Sequence, residues 1–253
     1  MSRHSPHPHH ERTQTQVSQW QHELPADKPY RILKTALNHY HNIAVSFSGA
    51  EDVVLVHMAA QIKPGVRVFT LDTGRLHPET YQFLEKVRDT YDIDLHIAFP
   101  NAQEVSALVS RKGLFSFYKE GHHECCQIRK VDPMRKILAP FDAWITGQRK
   151  DQSPGSRQEI PIVQLDSTFS TPEHPLVKFN PLANLTSEQV WLYIRSEQIP
   201  YNPLHERGFV SIGCQPCTRP ILPSQHEREG RWWWETDDTH KECGLHSLNV
   251  TPS

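Results

Sequence analysis

A doubly wound, mostly parallel α/β sheet is the architecture that the residue pattern of this chain calls for. Short apolar runs at 43–47, 66–71, 95–99 and 143–146 alternate with stretches of helical spacing. Three of those runs empty into turns of small, polar or charged residues, where a parallel sheet presents its ligand-binding loops. After residue 200 the chain becomes proline-rich and irregular, with Pro203, Pro216, Pro220 and Pro223, as expected of an extension wrapped back over the domain.

The elements follow in order. Residues 30–41 have helical spacing through Ile32, Ala36 and Leu37. The run 43–47 reads as a buried strand that leads through Ser48, Gly49, Ala50, Glu51 and Asp52 into an apolar helix at 53–60. Val66–Leu71 is a second strand, followed by Asp72-Thr73-Gly74-Arg75 and a helix opening at Pro78, a favoured first helical position. Residues 95–99 form a third strand, Ala102–Lys112 a helix, 125–138 a further helix, and 143–146 a fourth strand ending at Gly147-Gln148-Arg149-Lys150. Residues 166–175, rich in Ser, Thr and Pro, read as a loop. Thr186 opens a helix running to about 197, with Glu188 or Gln189 helping to cap it. Three regions result: a disordered His-rich arm at 1–28, an α/β nucleotide-binding domain at 29–230, and a mobile tail at 231–253.

Among 253 residues, 27 basic against 29 acidic side chains give a net charge of −2. That balance offers no global attraction to nucleic acid or to an anionic membrane, so any anion site has to come from local clustering. No apolar run approaches the ~20 residues that span a bilayer. The first residues, MSRHSPHPHHERTQTQ, lack the apolar core of a secretory signal. A cytoplasmic location is therefore expected, where clustered thiols mean metal or redox chemistry more often than disulfides.

Three loops have ligand-binding character. The stretch Ser46 to Asp52 offers two hydroxyls, a flexible glycine and a helix N-terminus, an expected cradle of N–H groups for an anion in which Ser48, Gly49, Glu51 and Asp52 take part. Leu71 and Thr73 lie on the loop after the second strand. Gly147, Arg149 and Arg157 follow the fourth. Neither a Walker A sequence nor G-x-G-x-x-G is present, which argues against an ordinary P-loop kinase or dinucleotide enzyme.

Five cysteines divide unevenly. Cys125-Cys126 and Cys214-Gln215-Pro216-Cys217 supply four thiolates, the number that closes a zinc or an iron–sulfur site. Adjacent helical residues point about 100° apart. The tandem pair thus suits a bulky cluster better than one tetrahedral ion. Cys243, in Lys-Glu-Cys-Gly-Leu-His, is left over and is a candidate nucleophile. His246 stands three residues on, placed either to orient the thiol or to be incidental. Trp232-Trp233-Trp234 reads as an anchor for the tail, with stacking on a base or a partner as the alternative.

The segments SFSGAEDVV, LDTGRLHPETY, KGLFSFYKEGHHECCQIRKVDP, ITGQRKDQSPGSR, NPLANLTSEQVW, GCQPCTRPI and EREGRWWWE…KECGLH together resemble the adenylyl-sulfate/phosphoadenylyl-sulfate reductase family, over about residues 43–246. The resemblance implies a fold related to the ATP pyrophosphatases (adenine-nucleotide α-hydrolase-like). It also implies a first loop that no longer works on ATP. The four-cysteine set is similar to that of the iron–sulfur branch. This implies a [4Fe–4S] cluster on Cys125, Cys126, Cys214 and Cys217, with adenosine 5′-phosphosulfate (APS) as substrate rather than its 3′-phosphorylated form (PAPS).

The expected chemistry is attack by the Cys243 thiolate on the electrophilic sulfur of APS. Lys130, Arg228 and Arg231, with Arg149 and Arg157, would screen anion repulsion and hold the charge developing on AMP. With no spare cysteine left to resolve the resulting S-sulfonate, an external dithiol must release sulfite. The resemblance implies that this partner is thioredoxin, that the pathway is sulfate assimilation toward cysteine, and that members self-associate. The competing readings are PAPS reduction, an ATP-dependent adenylating enzyme, and a zinc-stabilised binding module.

Overall fold

The computed structural model describes residues 8–152, 157–235 and 244–245. The central sheet has six strands: β1 (Ile43–Ser46), β2 (Val66–Leu71), β3 (Ile93–Ala98), β4 (Ala143–Ile145), β5 (Val163–Leu165) and β6 (Val177–Phe179). Their order across the sheet is β3-β2-β1-β4-β6-β5, parallel throughout except for the antiparallel edge pair β5–β6. The expected doubly wound α/β sheet is therefore found. Strand order reverses between β1 and β4, which is where a ligand crevice opens beyond the carboxyl ends.

The period of two along each strand decides what packs on which face. Ile43, Val45, Ala143, Ile145, Val66 and Val68 join one core with apolar side chains of α1 (Pro8–Glu23), α2 (Pro29–His39), α3 (Val53–Ile62), α4 (Pro78–Thr90) and α9 (Ser187–Ser196). Ala44, Phe69 and Trp144, the alternate positions, join the other with Val131, Met134 and Leu138. Between these helices lie α5 (Ala102–Lys112), α6 (Phe117–Glu120), α7 (His123–Cys126) and α8 (Asp132–Leu138). Asn101 caps α5 by accepting from the N–H groups of Gln103 and Glu104, and Gly113 ends it at φ +84°. Thr186 and Gln189 form a capping box on α9.

Three elements differ from the sequence expectation. The arm is not disordered between 8 and 23. There it forms α1, which buries Val17 and Trp20, and Trp20 packs its ring 5.5 Å from that of Phe179. Gln21 Nε2 donates to the carbonyl of Val163 (2.8 Å), so the helix covers edge strand β5. Strand β6 sits beside β4 with Lys178 buried at its centre, the ammonium 5.2 Å from the ring centroid of Trp144. The helix expected at 125–138 is interrupted: α7 passes through a π-helical stretch, Gln127–Val131, before α8. Pro133 lacks an N–H and would crowd the carbonyl four residues back, which a widened turn relieves. Lys130 lies in that widened turn.

Candidate active site

A cavity of about 210 Å³ opens beyond the carboxyl ends of β1, β2 and β4. Most of the residues singled out in the sequence meet there: Ser48, Glu51, Asp52, Leu71, Thr73, Lys130, Gly147, Arg157, Arg228 and Arg231 all line it. Gly49 supports it from behind at φ +81°, where a Cβ would come within 2.8 Å of Thr80 Cγ2. Gly147 likewise permits a close approach of two loops, since a Cβ there would lie 2.5 Å from that of Asp52.

The first loop is organised differently from the expected cradle. Asp52 turns back, its Oδ2 accepting from the Ser48 N–H (2.6 Å) and its Oδ1 from the Ala50 N–H (3.2 Å). Two of the donors read as phosphate ligands are thus occupied by an internal carboxylate. Burial raises the pKa of Asp52 to about 6, against the downward pull of those N–H groups.

Arg149 also departs from its expected role as a substrate cation. It is fully buried, and its guanidinium is shared among Glu51, Asp151 (2.9 Å) and Glu227 (2.8 Å). It ties the β4 loop to the first loop and does not line the cavity. Glu227 is pushed up to about 7 by burial and by Glu51, with Arg149 opposing.

Of the cations that line the cavity, Lys130, Arg157, Arg228 and Arg231, all but Arg157 are placed around one ring. Lys130, Arg228 and Arg231 stand 5.7, 5.8 and 4.6 Å from the centroid of Trp232. Trp232 is fully buried, adopts φ +43°, and stacks on His122 at 4.2 Å. His122 in turn pairs with Glu235 through Nδ1 (2.8 Å). The chain from Trp232 to Glu235 is thus built into the domain, joined by the bridge between Thr218 and Arg231, although the sequence reading had the mobile tail begin at 231. Cys243 and His246 lie outside the described residues. Their neighbours Gly244 and Leu245 are described. Leu245 lines the same cavity, and a Cβ on Gly244 would lie 3.2 Å from Val131 Cγ2.

The four other cysteines come together: Cys126, Cys214 and Cys217 are buried in an apolar cluster with Phe117 and Trp232, and Cys125 packs against it. Thr73 Oγ1 and Cys214 Sγ share a hydrogen bond of 3.2 Å. A hydrogen bond from Cys217 holds the Cys214 thiol well below its ordinary range, and the same bond together with burial pushes Cys217 up. Among the described residues, however, no group of three or more His, Cys, Asp or Glu side chains is arranged to hold a metal ion. The expected [4Fe–4S] cofactor on Cys125, Cys126, Cys214 and Cys217, and with it placement in the iron–sulfur branch, is corrected on that finding. The same finding removes the zinc-stabilised alternative.

Sequence reasoning leaves Gln148 and Glu227 out of the site and gives Trp232 a place there only as the alternative reading, yet all three line the cavity. Gln148 follows Gly147 directly, and Glu227 and Trp232 flank Arg228 and Arg231. Adjacency to residues already chosen was the available signal.

A parallel sheet with its cavity at the strand-order reversal, walled by a strand-to-helix loop and a cationic cluster, defines an α/β protein of the nucleotide-binding class. Residues 42–220 match the family model described as phosphoadenosine phosphosulfate reductase domain, and the chain belongs to that family and is an oxidoreductase. It is 59% identical over 227 residues to a protein of Pseudomonas aeruginosa (strain LESB58) named adenosine 5′-phosphosulfate reductase, covering 89% of this chain and 85% of that one. It is 55% identical to a probable chloroplastic 5′-adenylylsulfate reductase 1 of Oryza sativa subsp. japonica, over 90% of this chain but 49% of that longer protein. The crystal structure of phosphoadenylyl-sulfate reductase from Candida auris superposes with a TM-score of 0.69 at 26% identity, covering 81% of this chain and 97% of that one. No helix among the described residues is long and apolar enough to cross a membrane.

Proposed function

We propose that this chain is a cytoplasmic enzyme that reduces APS to sulfite and AMP, with thioredoxin as electron donor, in the assimilation of sulfate toward cysteine. The observation that carries this reading is the meeting in one cavity of Lys130, Arg228 and Arg231 with Leu245, two residues beyond Cys243. The names of the bacterial and plant relatives point to the same substrate.

In this reading the adenosine lies against Ser48, Gly49, Leu71, Thr73 and Gly147, and the phosphosulfate against the three cations. The Cys243 thiolate attacks sulfur, a sulfur–sulfur bond forms, and the bond from sulfur to the bridging oxygen breaks with its electron pair leaving on AMP. Lys130, Arg228 and Arg231 lower the repulsion between two anions and stabilise charge arriving on the phosphate oxygens. Arg157 screens the nucleotide from the side of β4, and His246 orients the thiol. A thiolate of thioredoxin then attacks Cys243 Sγ, expelling sulfite and leaving a mixed disulfide that the second thioredoxin thiol resolves.

PAPS reduction is the second reading, favoured by the likeness to the Candida auris enzyme. Sulfite and AMP are measured with APS, thioredoxin and the full chain, and in parallel with PAPS. The proposal expects equal amounts of the two products from APS and none above background from Cys243→Ser. Sulfite made only from PAPS, or made undiminished by the Ser variant, overturns it.

A further inference from the structure

The cavity is polarised, and the polarity bears on which nucleotides it admits. The cationic end is the ring of Lys130, Arg228 and Arg231 around Trp232, and the described neighbours of Cys243 lie on Val131 beside it. The other end, at the mouths of β1 and β4, is acidic. Glu51 and Glu227 are close enough to share Arg149, and Asp52 packs against Gly147. Glu227 and Arg228 are neighbours in the chain whose charges diverge, one to Arg149 and the other to the Trp232 ring. Arg149 and Arg157 offset part of the acidic charge, but Arg149 is committed to Glu51, Asp151 and Glu227.

Two buried polar groups leave hydrogen-bonding capacity open at this end. Gln148 is 3% exposed and lines the cavity, and neither its amide nitrogen nor its amide oxygen has a hydrogen-bond partner among the described residues. Glu51 Oε2 is likewise buried without one. A buried amide left with both a donor and an acceptor open is costly unless a ligand closes them. Vicinal ribose hydroxyls, each both donor and acceptor, or an adenine edge, satisfy such a group, whereas a phosphate can only accept.

We infer that Gln148 with Glu51, Asp52 and Glu227 forms a nucleoside-reading wall that accepts an uncharged ribose and rejects a nucleotide carrying a second phosphate on it. The inference rests on the proposed use of APS and adds the residues that would discriminate against PAPS. Above about pH 7, where Asp52 and Glu227 are ionised, a phosphate brought against these carboxylates meets like charge in a partly buried site, where repulsion is several-fold stronger than in water.

The test measures binding of AMP and of adenosine 3′,5′-bisphosphate to the full chain by calorimetry, so that it does not depend on turnover. Wild type is expected to bind AMP at least about tenfold more tightly, with the preference shrinking as salt is raised. Glu227→Gln is expected to cut the preference several-fold, and Gln148→Leu to weaken AMP more than it weakens the bisphosphate. Equal binding of both ligands by wild type, or a preference indifferent to salt, overturns the inference even if the variants fail to fold. A folded Glu227→Gln with the wild-type ratio also overturns it. Normal AMP preference without sulfite from APS would instead sink the functional reading and leave the wall standing.

Discussion

Replacing Arg149 separates a structural cation from a substrate cation. The guanidinium is shared among Glu51, Glu227 and Asp151, of which the first is buried and the second largely so. Arg149→Met keeps much of the volume and strands those carboxylates. Removing one partner of a buried ion pair costs about 3–5 kcal/mol. Glu227 already titrates near 7 and can relieve part of that by taking up a proton, which places the cost at the lower end. For a domain of this size about 3 kcal/mol corresponds to a fall in Tm of roughly 6–12 °C.

The same variant has a defined pH dependence. A carboxyl whose pKa is raised on folding binds its proton more tightly in the native state, so stability falls as pH climbs from the unfolded value of about 4.3 through the raised one. Loss of Arg149 raises Glu227 further. The deficit of the variant against wild type is therefore largest near pH 8 and narrows toward pH 5. The assay is thermal unfolding of both proteins across that range, alongside KM for APS. An unchanged Tm with a greatly raised KM would refute the structural role and restore Arg149 as a substrate ligand.

Two further outcomes are expected. Trp20→Ala removes a buried ring packed against Phe179, His39 and Tyr40 and should lower stability by about 3–5 kcal/mol in urea unfolding; no loss would show that α1 does not hold the edge of the sheet. Gly147→Ala drives a methyl group into Asp52 and should cost about 1–3 kcal/mol while raising KM for APS, so a variant with wild-type Tm and KM would contradict the close approach of the two loops.

The parallel core was legible because apolar periodicity and burial agree: β1, β2, β4 and α3 all carry the residues that the pattern assigned to the interior. Strand β6 escaped because its three residues carry Lys178 at the centre, a buried charge whose ammonium meets the ring of Trp144 on the neighbouring strand. Helix α1 escaped because its histidines and glutamines mask a two-residue apolar face, Val17 and Trp20, that matters only once β5 is in place. In the site, residue types located the cavity but not the pairing inside it. A loop rich in N–H donors reads as an anion cradle, yet Asp52 four residues on claims two of them. Arg149 reads as a substrate cation because the carboxylates that claim it come from positions 51, 151 and 227. Cysteine spacing foretold that Cys125, Cys126, Cys214 and Cys217 would converge, but convergence alone does not give the arrangement that a metal requires.

The account stands on Cys243 taking up the sulfonate, and mass spectrometry of the intact protein tests this most directly. After incubation with APS and no thioredoxin, one sulfonate per chain should appear, map to the peptide containing Cys243, and vanish on adding reduced thioredoxin. Protein that stays unmodified while AMP accumulates, or that carries the sulfonate on Cys125, Cys126, Cys214 or Cys217, would contradict it.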